Sequence, residues 1–92
     1  MTLEQFKILQ SVVDTGGVIG ASKSMRKTQP AISNAISRLE SALGVQIFSR
    51  DEYRLKLSTE GQALFNQMKV INSQVEIIKK WPFIYLKGMS LR

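Results

Sequence analysis

The sequence predicts a small, mainly α-helical domain. Three short helices and a two-stranded hairpin fill residues 1–58, and one long helix follows over 59–80. Three observations predict it. Apolar residues recur at helical spacing in three stretches set apart by Thr15-Gly16-Gly17 and by Arg26-Lys27-Thr28. Two short apolar runs flank a polar turn between Gly44 and Ser58. From Leu64 onward the apolar residues step by four and three, the spacing of a heptad seam.

The first helix is expected over 2–14. Thr2 is a good N-cap, and Gln5 completes a Thr-x-x-Gln capping box. Leu3, Phe6, Leu9, Val12 and Val13 form its inner stripe. Val18 to Met25 forms a shorter second helix, with Val18, Ala21 and Met25 facing inward. Ala21 supplies the small side chain that a near-perpendicular crossing of two helices needs. Gly20 costs helix stability, which makes this the weakest helix by propensity.

Thr28 caps the third helix, Pro30 sits in its first turn where a missing N–H costs nothing, and Leu43-Gly44 stops it. At about 100° per residue, Ile32, Ala35, Ile36, Leu39 and Leu43 share one face. Pro30, Ser33, Asn34, Ser37, Arg38 and Ser41 lie opposite. A merely solvated face usually interleaves Glu and Lys. This one is small, polar and cationic, with no carboxylate at its centre. It is either a serine-rich solvent face or a surface that approaches a polyanion closely.

Val45 to Phe48 and Leu55 to Ser58 read as two short strands around Asp51-Glu52-Tyr53-Arg54. A two-stranded hairpin is not stable alone. It must pack on the helices through Ile47, Phe48, Leu55 and Leu57. Ser58-Thr59 caps the long helix, whose seam is Leu64, Met68, Ile71, Val75 and Ile78. The narrow seam suits a dimer interface better than a domain-sized core, although Phe65 and Ile77 broaden it. Trp81-Pro82 ends the pattern, leaving 81–92 as a tail.

Composition narrows the function. The 92 residues allow one small domain, which a partner subunit would help to stabilise. Cysteine and histidine are absent, so there is no thiolate site, no Cys nucleophile and no imidazole base or ligand. No catalytic constellation, metal site or cofactor motif is expected. The net charge is +6, and residues 20–58 hold seven basic and three acidic side chains. That excess lies where phosphate contacts would be needed, although charge also serves solubility. No signal peptide or membrane-spanning run is evident, which points to a cytoplasmic protein.

The run Thr28-Gln29-Pro30-Ala31-Ile32-Ser33, with Ile36, Leu39-Glu40, Leu43-Gly44, Ile47-Phe48 and Arg50 at fixed spacing, resembles the recognition helix and wing of the LysR-type transcriptional regulators. The resemblance is gap-free over 28–50 and covers the chain to about Lys80. It implies a winged helix-turn-helix over 1–58, then a linker helix over 59–80 that pairs antiparallel with its twin. Gly88 to Arg92 is similar to the start of that family's effector-binding domain, the rest of which is not expected within these 92 residues. No inducer site is therefore expected in this chain. This sequence departs from the usual pattern at Gly20, Ser22 and Met25, at Asn34 where arginine is frequent, and at Tyr53, with Arg54 one step on.

The resemblance assigns DNA contacts to Thr28, Gln29, Pro30, Ser33, Asn34, Arg38, Arg50 and Arg54. Gln29 lies where helix-turn-helix proteins reach base edges, and its amide matches adenine N6 and N7. Pro30 offers apolar contact to a thymine methyl, and Thr28 a hydroxyl to phosphate. Arg38 and Arg50 suit the backbone, Arg50 also the minor groove. The leading reading is sequence-specific binding of double-stranded DNA by a homodimer. A protein-interaction module acting through the long helix is the alternative, distinguished by having no need for Gln29, Ser33, Arg38 and Arg50 together. Single-strand or RNA binding would want more exposed aromatics than Tyr53.

Overall fold

Local capping chemistry sets the start and end of most of the helices. In the computed structural model, which describes the backbone of residues 1–49 and 55–89 and the side chains among them up to Lys80, α1 spans Leu3–Thr15 and α2 spans Val18–Met25. Helix α3 spans Gln29–Leu43, and α4 spans Thr59–Met89. The capping box of α1 closes in both directions. Gln5 N–H donates to Thr2 Oγ1 at 3.2 Å, and Thr2 N–H donates to Gln5 Oε1 at 2.9 Å. Gly16 and Gly44 end α1 and α3 in the left-handed conformation, at φ 88° and 69°. That region costs a glycine nothing.

Helix α1 lies at the centre and packs against α2, α3 and α4. Phe6, Ile8, Leu9 and Val12 of α1 are buried, together with Ala21, Ile32, Ile36, Leu39, Ile47, Phe65 and Met68. Two positions on α1 differ from expectation. Leu3 is exposed and Ile8 is buried. Because α1 is covered from three directions, its buried arc is wider than one amphipathic stripe, while its first turn projects beyond the core.

The hairpin is shorter than its sequence suggests. Among the described residues there is no strand, only the antiparallel bridge Phe48–Leu57. It is flanked by Ser49 N–H to Lys56 O and Ser58 N–H to Ile47 O, both 2.8 Å. Two so short segments form too few rungs for an extended ladder. Ile47 is buried, and Phe48 and Leu57 pack on the core. Leu55, expected inward, is 45% exposed.

Glycines mark two close approaches. A Cβ on Gly61 would stand 2.0 Å from Ile47 O, so the first turn of α4 rests directly on the hairpin backbone. A Cβ on Gly20 would meet Thr15 Cβ and Oγ1 at 2.7 Å. Gly20 thus lowers helix propensity but lets α2 fold back tightly onto the end of α1.

Helix α4 corrects the expected boundary at Lys80. It continues through Trp81-Pro82 to Met89. Proline fixes φ near the helical value and removes one N–H, that which would bond to Ile78 O. The preceding turns have already met the nucleation cost, and each further residue needs only propagation.

Candidate nucleic-acid interface

The turn between α2 and α3 positions the site. Met25 ends α2, and Arg26 takes a left-handed backbone at φ 55°, ψ 46°. Arg26 is the one non-glycine residue with positive φ among those described. Three contacts to Ser22 hold the turn, the first from the Arg26 N–H to Ser22 O. Lys27 N–H donates to Ser22 O at 3.0 Å, and the Ser22 hydroxyl donates to Lys27 O. Lys27 Nζ lies 3.1 Å from Glu4 Oε2, tying the turn to the first turn of α1. Thr28 then enters α3 with extended backbone, and its Oγ1 accepts the Ala31 N–H at 3.2 Å.

From this anchored start α3 presents one continuous outer row. Gln29, Pro30, Ser33, Asn34, Ser37, Arg38 and Ser41 are all exposed. Ile32, Ile36 and Leu39 are buried on the opposite side, with Ala35 and Leu43 packed against the core. The helix is about 22 Å long at 1.5 Å per residue. It fits a major groove about 12 Å wide. Glu40 borders the row, but its carboxylate is turned to the hairpin, where Oε2 accepts the Ile47 N–H at 2.8 Å. The outer row therefore carries no acidic side chain, and the cations Lys23, Arg26 and Arg38 stand exposed on α2, the turn and α3.

Phe48 and Leu55 of the hairpin adjoin the same face. They line a shallow groove with Val12, Val18, Ser33, Ile36, Ser37 and Glu40. Arg50 and Arg54, the expected wing contacts, lie outside the described residues. Four roles were not evident from sequence: Ser22 as the clamp of the turn, Lys27 as a partner of Glu4, Glu40 as an anchor for the hairpin, and Asn72 as a partner of Gln10. The capping residues had a sequence signal, but these contacts join positions whose proximity only the tertiary fold creates.

The seam on α4 divides between two faces. Met68 is fully buried against its own domain, which corrects its assignment to a dimer interface. Leu64 packs on the same core. Gly61, Phe65 and Met68 are buried, and Asn72 and Val75 half-buried, so this row faces its own domain, with Gly61 on the hairpin and Asn72 on α1. A second row remains open: Val70 is 55% exposed, Ile71 41%, Ile77 49% and Ile78 56%. The expected seam runs across both rows: Met68 belongs to the one that the domain itself covers, whereas Ile71 and Ile78, seven residues apart, belong to the open one.

Among the described residues no group of three His, Cys, Asp or Glu could hold a metal ion. No helix among the described residues is long and apolar enough to cross a membrane. Three helices, with a tight turn before a third whose exposed outer row carries no carboxylate, define a helix-turn-helix protein. The family model described as "Bacterial regulatory helix-turn-helix protein, lysR family" matches residues 3–62. The chain belongs to this family.

Its relatives are transcriptional regulators. The chain is 32% identical over 79 residues to the HTH-type transcriptional regulator DgcR of Pseudoalteromonas sp, covering 86% of this chain and 27% of that protein. It is 38% identical over 64 residues to the regulatory protein NocR of Agrobacterium fabrum, covering 70% of this chain and 21% of that one. The chain thus spans about a quarter of the length of the curated relatives it matches. Its fold is similar to the BenM DNA-binding domain solved with benA site 1 DNA. The TM-score is 0.88 at 24% identity, with 97% of this chain and 100% of that one covered. The DNA-binding domain of CbnR, also solved with DNA, superposes with a TM-score of 0.76 at 26% identity, covering 83% and 87%.

Proposed function

We propose that the chain is the DNA-binding part of a bacterial transcriptional regulator, acting in the cytoplasm as a homodimer on double-stranded operator DNA and without catalytic activity. The observation that carries this reading is the exposed row of α3, which is small, cationic and free of carboxylates along its length. Such a surface lets a helix sit deep in a major groove, where side-chain amides and hydroxyls reach base edges. Gln29, Pro30 and Ser33 lie at the N-terminal end, the part of a recognition helix that meets bases. Thr28, Asn34 and Arg38 flank it towards the phosphates. Arg50 and Arg54 would extend the contact through a wing built on the Phe48–Leu57 bridge. The dimer would form through the open row of α4, with Val70 and Ile77 joining Ile71 and Ile78 and with Val75 at its edge.

The same open row also supports the second reading, a module whose main activity is pairing with another protein through α4. Gln29→Ala separates the two. It removes a donor–acceptor pair but no charge, from an exposed side chain outside the core. If Gln29 reads a base, affinity for a selected operator should fall by about 1–3 kcal/mol and much less on scrambled duplex. Titration of both duplexes by fluorescence anisotropy checks this. Equal losses on the two duplexes remove Gln29 from base reading. No measurable duplex binding by the unmutated chain would favour the interaction module.

A further inference from the structure

The face of α4 that packs on its own domain is apolar up to one point. Gly61, Phe65 and Met68 are buried, and the next residue of that row is Asn72. Its Nδ2 donates to Gln10 Oε1 of α1 at 2.9 Å, a contact between residues 62 positions apart. Asn72 Oδ1 is buried and has no hydrogen-bond partner among the described residues. Beyond Asn72 only Val75 is half-buried, and the other described side chains of α4 are exposed. Among the described residues the Gln10–Asn72 bond is therefore the last polar tether between the long helix and the helix-turn-helix body.

A polar pair here costs stability. A buried oxygen without a partner loses its hydration, and an apolar pair of similar size would pack without that loss. Polar groups kept inside apolar helix contacts can fix register, as a single buried Asn does in coiled coils. The bond requires Gln10 and Asn72 to face each other, whereas Phe65 and Met68 would tolerate sliding or tilting. The consequence is geometric. A tilt of about 10° displaces a point about 20 Å from the pivot by about 3.5 Å, close to one base-pair rise along DNA. In a dimer joined through α4, the seating of α4 on α1 sets the distance between the two recognition helices.

We propose that Gln10 and Asn72 form a positioning pair that fixes the seating of α4 on the helix-turn-helix body, and thereby the half-site spacing that the dimer accepts. This rests on the proposed function, since it presupposes a DNA-binding dimer. The pair bridges α1 and α4 and belongs neither to the outer row of α3 nor to the open row of α4, so its loss should change spacing selectivity and leave half-site affinity in place.

The test uses the 92-residue chain. Half-sites are first obtained by selection on random duplex, then placed at spacings that differ by single base pairs. The unmutated chain should prefer one spacing over its neighbours by about tenfold, because half-site separation is set by protein geometry. Asn72→Leu, and separately Gln10→Met, should reduce that preference to about threefold or less while single half-site affinity stays within about twofold. The exchanged pair, Gln10→Asn with Asn72→Gln, keeps one donor and one acceptor at the same combined length and should restore the preference. Two variants at different positions, each checked by thermal melting, keep the test informative if one of them misfolds. An unchanged spacing preference in folded Asn72→Leu or Gln10→Met overturns the inference and leaves the proposed function standing. Failure of the unmutated chain to bind any selected duplex overturns both.

Discussion

Arg26 carries two jobs that a single substitution can separate. Its backbone holds the left-handed conformation that turns the chain from α2 into α3, and its side chain places a cation beside the start of α3. An L-residue in that conformation costs roughly 1–2 kcal/mol, which glycine largely avoids. Arg26→Gly should therefore raise the melting temperature by a few degrees, at about 4–8 °C per kcal/mol for a domain of this size. Arg26→Leu keeps the strain and should show no such gain. If the cation meets phosphate, both variants should lose affinity on every duplex by similar factors. Thermal melting and duplex titration of the pair distinguish backbone from charge. A lower melting temperature for the glycine variant would show that the turn is not strained. The strain was hidden in the sequence because nothing in Arg26-Lys27-Thr28 announces a positive φ. The outer row of α3 was legible, because five apolar residues fixed its inner face and left the polar ones no alternative.

At the scale of elements, helix starts and ends were readable where they depend on neighbours in sequence. Thr2 with Gln5, Thr28, Gly16 and Gly44 act within a turn of their own positions. The destination of each face of α4 was not readable. Periodicity gives spacing, and the four-three seam runs through both Met68 and Ile71, so only the tertiary fold shows that the first is covered and the second open. Pro82 misled for a related reason, since its local penalty is set against the cooperativity of a long helix. Gly61 offers a test in which propensity and packing oppose each other. Alanine is the better helix former by about 1 kcal/mol. Its Cβ would press into Ile47 O and the carbonyl carbon behind it, both backbone atoms that cannot rotate away. Gly61→Ala should lower stability by about 1–3 kcal/mol despite the gain in propensity. Urea unfolding monitored by circular dichroism measures the sign, and a stabilised variant would mean that α4 sits further from the hairpin.

The whole molecule is an α1-centred domain with one end of a long helix attached and much of that helix left uncovered. The open row of Val70, Ile71, Ile77 and Ile78 is the surface that the proposed dimer would use. Ile78→Glu tests this with little risk to the fold, because Ile78 is more than half exposed. The variant should sediment as a monomer at concentrations where the unmutated chain is dimeric. It should also lose affinity for two-half-site duplex far more than for a single half-site, because linked binding adds effective concentration without new contacts. A variant that remains dimeric would place the interface elsewhere.

The hairpin residue Ile47 joins three helices at once. Its amide is taken by Glu40 of α3, its carbonyl is held by Ser58 and pressed by Gly61 at the start of α4, and its side chain is buried beside α1 in the common core. Deuterium uptake at this amide should therefore be among the slowest in the chain and should track the free energy of global opening. In a two-dimensional NMR spectrum, one late-exchanging cross-peak would serve as an internal gauge of stability. It would show whether a change on α3, the hairpin or α4 has loosened the body as a whole or only the surface where it was made.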